Sequence, residues 1–448
     1  MGCTARQGSC SAEMTHFSHP EVSSRVRAAL TLNQVIHEGQ GLDQVWQDWP
    51  PGRDTTFARE IVYGSLRYLP RLHLLLSGLT SERPVPLLES LCISALYQLL
   101  YLRVPTHATV HENVAAAKTL GLARAAPMVN AILRRTMREQ ESLMQLLEGS
   151  EVGRFAYPQW WIDEVKTDWP HTWEALLLAG NRRAPMTLRV NLQRTTRNAY
   201  QDELARAGFP THTGTLSTTA IRLARPCPVD RLPGFATGWV SVQDEAAQLA
   251  TPFLDPEPGM HVLDACSAPG GKTAHLLEYT RGDIRLDVVD RDPERLDKVR
   301  STIQRIGCGI ARLIPADATR PDDYFTGEPY DRILLDAPCS GSGVVRRHPD
   351  IKVTRNRSGI ELAQALQTRL LEATWPLLRG SGRLLYVTCS VFERENDQVI
   401  GAFLAAHPEA TCERFPDHPL QETRFGVICL TGQAGCDGFY FARLRKSG

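Results

Sequence analysis

No apolar run in this 448-residue chain approaches the roughly 18 to 20 residues of a membrane-crossing helix. The first twenty residues hold no apolar stretch of signal-peptide length either, so a cytoplasmic protein is expected. The 11 cysteines include no C-x-x-C pair, which argues against a zinc ribbon and against a disulfide framework, and no metal is expected. Net charge is absent as well, with 50 basic residues against 50 acidic ones, and a uniformly basic nucleic-acid binder is thereby excluded. Two nucleotide signatures are also missing. There is no G-x-G-x-x-G, and Cys266 stands where a phosphate-binding G-x-x-x-x-G-K-[ST] loop requires glycine.

What is present is length for two or three domains and a hydrophobic content of 42%, that of a soluble globular chain. Charge is also unevenly placed. Asn181 to Arg197 holds Arg182, Arg183, Arg189, Arg194 and Arg197 with no acid, Gly121 to Arg138 holds four arginines with none, and Val345 to Arg357 holds five basic residues against Asp350. Such clusters suit backbone phosphates, although any one of them can equally be a solvated helix face.

The pattern along the chain predicts a multidomain α and α/β protein. Residues 1–18 are small and polar, Cys3 and Cys10 among them, and read as a disordered tail. Residues 19–148 carry helical stripes throughout, with Val22, Val26 and Ala29 in one and Ile61, Leu66, Leu69 and Leu72 in a second. His107 and His111 lie four apart there, a spacing read as structural. A linker is expected over Glu151 to Pro158, and the aromatics Tyr157, Trp160, Trp161 and Trp169 are read as core. The stretch 149–237 continues as a small α/β module, with strands at 186–192 and Ile221 to Arg225 around a helix at Asn198 to Gly208. From 238 to 448 apolar runs alternate with helical patterns as in a Rossmann-like domain. VLDAC, LDVVD, RLIPAD, RILLDAPC and RLLYVTC each end in a polar or reactive residue. In an open parallel sheet these ends share one edge, so Asp264, Asp290, Asp317, Asp336, Cys339 and Cys389 should converge.

The loop DACSAPGGKT places Gly270 and Gly271 between a strand and a helix, which allows close backbone approach to a ligand. Asp290, 26 residues after Asp264, has the spacing of a ribose-binding acid. A ribose-bearing cofactor without a required phosphate chain fits both features. Asp336 and Cys339 pair an acid with a thiol, and Cys389 adds a second thiol. Thiolate attack at C6 of a cytosine, with a carboxyl group hydrogen-bonded at N3, makes C5 nucleophilic enough to accept a methyl group. A free thiol has a pKa of about 8.5, so Arg346, Arg347 and Lys352 are candidate cations to favour the thiolate. One cysteine attacks and the other assists release, with the order left open by the residues alone.

DACSAPGGKT, DAPCSGSGVVRRHPDIK, YVTCSVFERENDQ, DGFYFARLRK and VSVQDEAAQLA resemble the S-adenosylmethionine-dependent RNA cytidine C5-methyltransferases of the RsmB/NOP family. REIVYGSLRY, VPTHATVHENV and VNAILRR resemble the NusB-like RNA-binding domain attached in its RsmB branch. The resemblance implies S-adenosylmethionine as cofactor and 16S ribosomal RNA as partner, with cytosine 967 as target. Because extruding a paired base is costly, RNA that is free or early in assembly is expected, and so is a monomer. It implies Cys389 as nucleophile and Cys339 as the residue that aids release, whereas analogy with DNA cytosine methyltransferases would choose Cys339. It assigns Cys266, Ser267, Ala268, Pro269, Gly270, Gly271, Lys272, Asp290, Asp317 and Asp336 to the cofactor. RNA contacts are expected from Arg189, Arg346, Arg347 and Lys352. Arg189 opens an RVN signature in which Gln193 and Arg194 depart from the usual following residues. The competing readings are a transfer RNA methyltransferase, a non-catalytic assembly factor and a nucleotide hydrolase.

Overall fold

The structure, a computed structural model, describes residues 22–49, 52–415 and 418–448. The polar tail at 1–18, with Cys3 and Cys10, lies outside them. The chain divides into two compact units, one formed by the described residues up to Asp163 together with His348–Arg355, the other by Glu164–Arg347 and Asn356–Gly448.

The first unit is helical. Its main helices are Ser24–His37, Arg53–Arg67, Leu69–Leu79, Pro86–Tyr101, Thr106–Thr119 and Ala126–Arg138. Ser23 starts the first by accepting from Val26 N at 3.4 Å, and prolines open the helices at Leu69, Pro86 and Ala126, where a missing N–H costs nothing. The expected stripe from Ile61 to Leu72 belongs to two helices, because the chain turns at Tyr68 and Pro70 restarts it. Both halves of the stripe are buried, with Ile61, Leu66 and Leu72 wholly inaccessible. At Gly64 a Cβ would fall 1.8 Å from the ring of Tyr97 on the helix Pro86–Tyr101, so a side chain there would force that ring to shift.

Two expectations are corrected here. The supposed linker at 151–158 is the helix Glu151–Phe155, capped by Ser150 and followed by buried Ala156 and Tyr157. Lys352, expected beside phosphate or a thiol, is 3% exposed, and its ammonium donates to the carbonyls of Arg67 at 2.8 Å and Ala156 at 3.0 Å over the Tyr157 ring. Burial pushes its pKa well down. Lys352→Met keeps the stem but leaves both carbonyls unpaired, so urea unfolding of the helical unit should show a loss of about 1–3 kcal/mol. An unchanged midpoint would show that the two bonds contribute nothing.

The second unit opens with a four-stranded antiparallel sheet of β1 (Thr187–Val190), β2 (Thr211–Thr213), β3 (Ala220–Leu223) and β4 (Val240–Val242), in the order β2-β3-β1-β4. The helix Arg197–Arg206 packs Tyr200 and Leu204 onto Leu188, Val190 and Ile221. The short strands β2 and β4 were not expected, being too brief to show a clear alternation.

The larger sheet follows. Its parallel part is β5 (His261–Ala265), β6 (Arg285–Asp290), β7 (Ala311–Pro315), β8 (Tyr330–Asp336) and β9 (Leu378–Thr388), in the order β9-β8-β5-β6-β7. The β5, β6 and β8 runs are buried nearly throughout, as strands covered on both faces should be. Strand order reverses between β5 and β8, and the edge beside this switch is where open α/β sheets place ligands. Near the end of the chain come β12 (Val427–Cys429) and β13 (Phe439–Lys446), antiparallel to each other. β13 also pairs with β9, so it extends the sheet, with β10 (Ala410–Glu413) and β11 (Gln421–Glu422) beyond.

Candidate active site

Register brings the motif residues together. Asp264 on β5 faces Leu334 on β8, and Asp336 at the end of β8 faces Val387 on β9, two residues before Cys389. The chain leaves β5 into a left-handed turn at Cys266 (φ 62°), then reaches Gly270 at φ 92° before the helix Gly271–Tyr279. A Cβ on Gly270 would lie 3.0 Å from the Val299 backbone, so both conformation and close packing require glycine.

Carboxylates surround this loop. Asp290 accepts from Ala268 N and Asp292 N, both at 3.1 Å, which fixes its orientation. Asp317 is held by the N–H and hydroxyl of Thr319, chiefly the N–H, and its pKa is lowered. Asp264 is fully buried and accepts from Thr273 Oγ1 at 2.6 Å through one oxygen. Its other oxygen and the Ser267 hydroxyl are buried with no partner among the described residues. Burial, with Asp336 nearby, raises the Asp264 pKa to about 7. Burial also pushes the Cys266 thiol upward, assisted by Asp290, Asp336, Asp264 and Asp317, which keeps it a thiol. An acid-rich loop with unpaired buried acceptors fits a ligand that is cationic and carries donors and ribose hydroxyls, as S-adenosylmethionine does.

Lys272 lies between cofactor loop and cysteines. Its ammonium donates to Asp336 at 2.7 Å; burial opposes its charge, but Asp336, with Cys389 and Asp264 adding to the field, holds its pKa above the ordinary value. Cys339 and Cys389 face each other at 3.4 Å between sulfurs. The hydrogen bond with Cys389, then burial, drives the Cys339 thiol far above its usual range. The cation within electrostatic reach of Cys389 is therefore Lys272, not the arginines that the sequence suggested.

Those arginines have other partners. Arg346 donates to Asp437 at 2.8 Å and to Gly435 O at 3.0 Å, and Arg347 to Asp244 at 3.0 Å and also to Asp437. Arg189 is wholly inaccessible, gripping Glu278 through two bonds of 2.9 and 2.8 Å and the Gly271 carbonyl at 2.8 Å. Gln193 caps the far end of the same helix at Leu277 O and Glu278 O. The expected RNA contact from Arg189 is thus corrected: its guanidinium is enclosed, and the RVN segment holds the cofactor helix at both ends. Arg346 is likewise buried, at 4% exposure.

Sequence reasoning missed the group that aligns the cysteines. Glu395, wholly buried, accepts from Ser340 N at 2.7 Å, from the hydroxyls of Ser340 and Ser390 at 2.5 Å each, and from Gln367 at 3.2 Å. Ser340 follows Cys339 and Ser390 follows Cys389. Burial raises the Glu395 pKa despite these donors. Nothing in the sequence singles it out, since it is one of three acids in FERENDQ.

The family model named 16S rRNA methyltransferase RsmB/F matches residues 251–445, a ferredoxin-like domain of RsmF/B-like methyltransferases matches 157–230, and the NusB family matches 22–138. Ribosomal RNA small subunit methyltransferase B of Pseudomonas putida is 44% identical over 432 residues, covering 95% of this chain and 99% of that protein. The chain belongs to the ribosomal RNA small subunit methyltransferase B family. The Vibrio cholerae member is 41% identical over 428 residues, with 94% and 97% covered. The crystal structure of PH0851 shares the fold at a TM-score of 0.78 and 24% identity, over 95% of this chain and 99% of that one. Membership makes the chain an S-adenosylmethionine-dependent RNA methyltransferase with NusB-like, ferredoxin-like and methyltransferase domains. Among the described residues no helix is long and apolar enough to cross a membrane.

Two outcomes test the site. A carboxyl whose pKa is raised on folding stabilises fully below its unfolded value and loses that contribution as pH rises through the folded one. The ligand-free melting temperature should therefore carry a component that falls between about pH 4 and 7 and vanishes in Asp264→Asn; an unaltered profile would refute the assignment. Glu395→Gln turns one acceptor into a donor facing Ser340 N–H, so methyl transfer should drop about 100-fold through misplaced thiols. S-adenosylmethionine affinity, measured by calorimetry, should hold; joint loss would mean general unfolding.

Proposed function

We propose that this enzyme forms 5-methylcytidine at one position of 16S ribosomal RNA, cytosine 967 by family analogy, through a covalent adduct between Cys389 and C6 of the base. The observation that carries this reading is the pair of thiols 3.4 Å apart, one within the field of Lys272, beside an acid-rich loop. Cytoplasmic action by a monomer, on RNA free or early in assembly, completes the reading. S-adenosylmethionine, when bound, supplies an electrophilic methyl group.

Cys389 gives up its proton by way of the Asp336 carboxylate to N3 of the cytosine, with Lys272 stabilising the thiolate, and its sulfur adds to C6. Asp336, already oriented by Lys272, accepts a hydrogen bond from the protonated N3 and so stabilises the adduct, in which C5 is the nucleophile that takes the methyl group. Cys266 to Lys272 with Asp290 and Asp317 hold the cofactor against that carbon. The C5 proton must then leave while the C6–S bond breaks, which regenerates the aromatic ring and the Cys389 thiolate. Cys339 is the group within reach. Once Cys389 is a thioether it no longer holds the Cys339 proton in a thiol pair, and the main cause of the raised Cys339 pKa disappears. With its own proton released to solvent, Cys339 can then act as the thiolate that takes the C5 proton and ends as the thiol.

The decisive assay supplies methyl-labelled S-adenosylmethionine and unmodified 16S ribosomal RNA, then maps 5-methylcytidine by bisulfite sequencing. One protected cytidine is expected; label in transfer RNA alone, or in neither RNA, would overturn the reading. Cys389→Ala should abolish turnover. Cys339→Ala should instead leave a protein–RNA adduct that survives denaturing electrophoresis, and reversed outcomes would exchange the two roles.

A further inference from the structure

A second cavity of about 660 Å³ opens within the Glu164–Gly448 part of the chain, away from the carboxylates of the cofactor loop. Four arginines line it, Arg182, Arg183, Arg222 and Arg346, and no aspartate or glutamate does. Its walls are the end of the helix Trp173–Gly180 and the turn Leu430–Gly435. At the helix end, Leu178 O and Ala179 O accept from Asn181 N and Arg182 N, so two of the terminal carbonyls are already occupied.

Two of the four arginines are fixed as part of the wall. Arg222 donates to Glu245 at 3.1 Å and to Ala434 O, and Arg346 is anchored on Asp437. Arg222 Nε remains buried with no hydrogen-bond partner among the described residues. Arg182 and Arg183 are exposed at the rim, on the segment between the helix and β1. The cavity floor is tied to the cysteine loops. Thr431 Oγ1 donates to Gly343 O at 2.9 Å, and Gly343 N donates to Cys389 O at 2.9 Å. The cavity wall at Thr431 is therefore joined to Cys389 by two successive hydrogen bonds through Gly343.

We propose that this cavity binds phosphodiester groups of the substrate RNA next to the target nucleotide, with Arg182 and Arg183 as the contacting cations and with Arg222 and Arg346, each paired to a buried acid, as fixed guanidinium donors in the wall. The proposal rests on the chain's acting on RNA and is independent of which base is methylated. Single-stranded phosphate is favoured over a free anion by the rest of the lining, which adds Ala175, Leu178 and Pro185 as apolar surface for ribose or base. The arrangement also gives a purpose to the acid-free run that begins at Arg182.

The test measures binding of a 16S ribosomal RNA fragment across a salt series for the full chain and for Arg182→Ala/Arg183→Ala. Loss of two phosphate contacts should weaken binding at least about tenfold at low salt and flatten the log–log salt slope by about 1.4. Under limiting RNA, KM should rise while kcat holds. Arg182→Lys/Arg183→Lys should recover most of the affinity, which a merely structural role for the guanidinium forks would not allow. An unchanged slope, or a fall in kcat at constant KM, would overturn the proposal. Tight binding of inorganic phosphate with an unaltered RNA slope would assign the cavity to a small anion instead. Loss of the 5-methylcytidine product from the unsubstituted enzyme would count only against the assigned reaction.

Discussion

Cys339 and Cys389 follow neighbouring parallel strands, and their sulfurs meet only if two loops leaving β8 and β9 are held in one register. The carboxylate of Glu395 supplies that constraint by accepting from the serine after each cysteine. A buried carboxylate is costly unless its oxygens are occupied, and here four donors converge on it. The same bonds that make the charge tolerable also fix the loops. Ser342 joins the cluster through Ser390 and Val391 N, and Asn396 closes it through Thr388 and the Ser390 carbonyl.

From that point the site extends in two directions. Toward the loop after β5, Lys272 donates to Asp336 and lies within the field of Cys389, so a single ammonium is shared by an acid and a thiol that leave neighbouring strands. Toward the C-terminus, Asp437 gathers Arg346 and Arg347, which locks the segment after the cysteine loop onto the turn before β13. The antiparallel addition of β13 beside β9 is therefore more than an edge, since it follows directly on the residue that anchors the chain after Cys339.

The ferredoxin-like module has a mechanical part in this arrangement. Arg189 reaches from β1 to the first carbonyl of the cofactor helix and to Glu278 in its last turn, and Gln193 caps the end. Side chains of a module expected to face RNA are thus committed to the enzyme's own cofactor-side helix. Arg182 and Arg183 are exposed, as are Arg124, Arg134 and Arg138 on the helical unit.

Much of this was legible before folding. Five strands were marked by short apolar runs, and the reactive residues at their ends were expected to share an edge, because in a parallel sheet every strand terminates on the same side. The motif residues also named the family. Charge runs misled, since a count along the chain cannot tell an arginine that meets solvent from one, like Arg189 or Arg346, that meets a buried acid from a distant segment. Lys352 is the same case, its partners lying at residues 67 and 156. Glu395 was invisible for a related reason: its role depends on where Ser340 comes to lie, 55 residues earlier. Chemistry carried by strand ends is written in local pattern; pairing among buried charges depends on long-range packing, and only the folded chain assigns the partners.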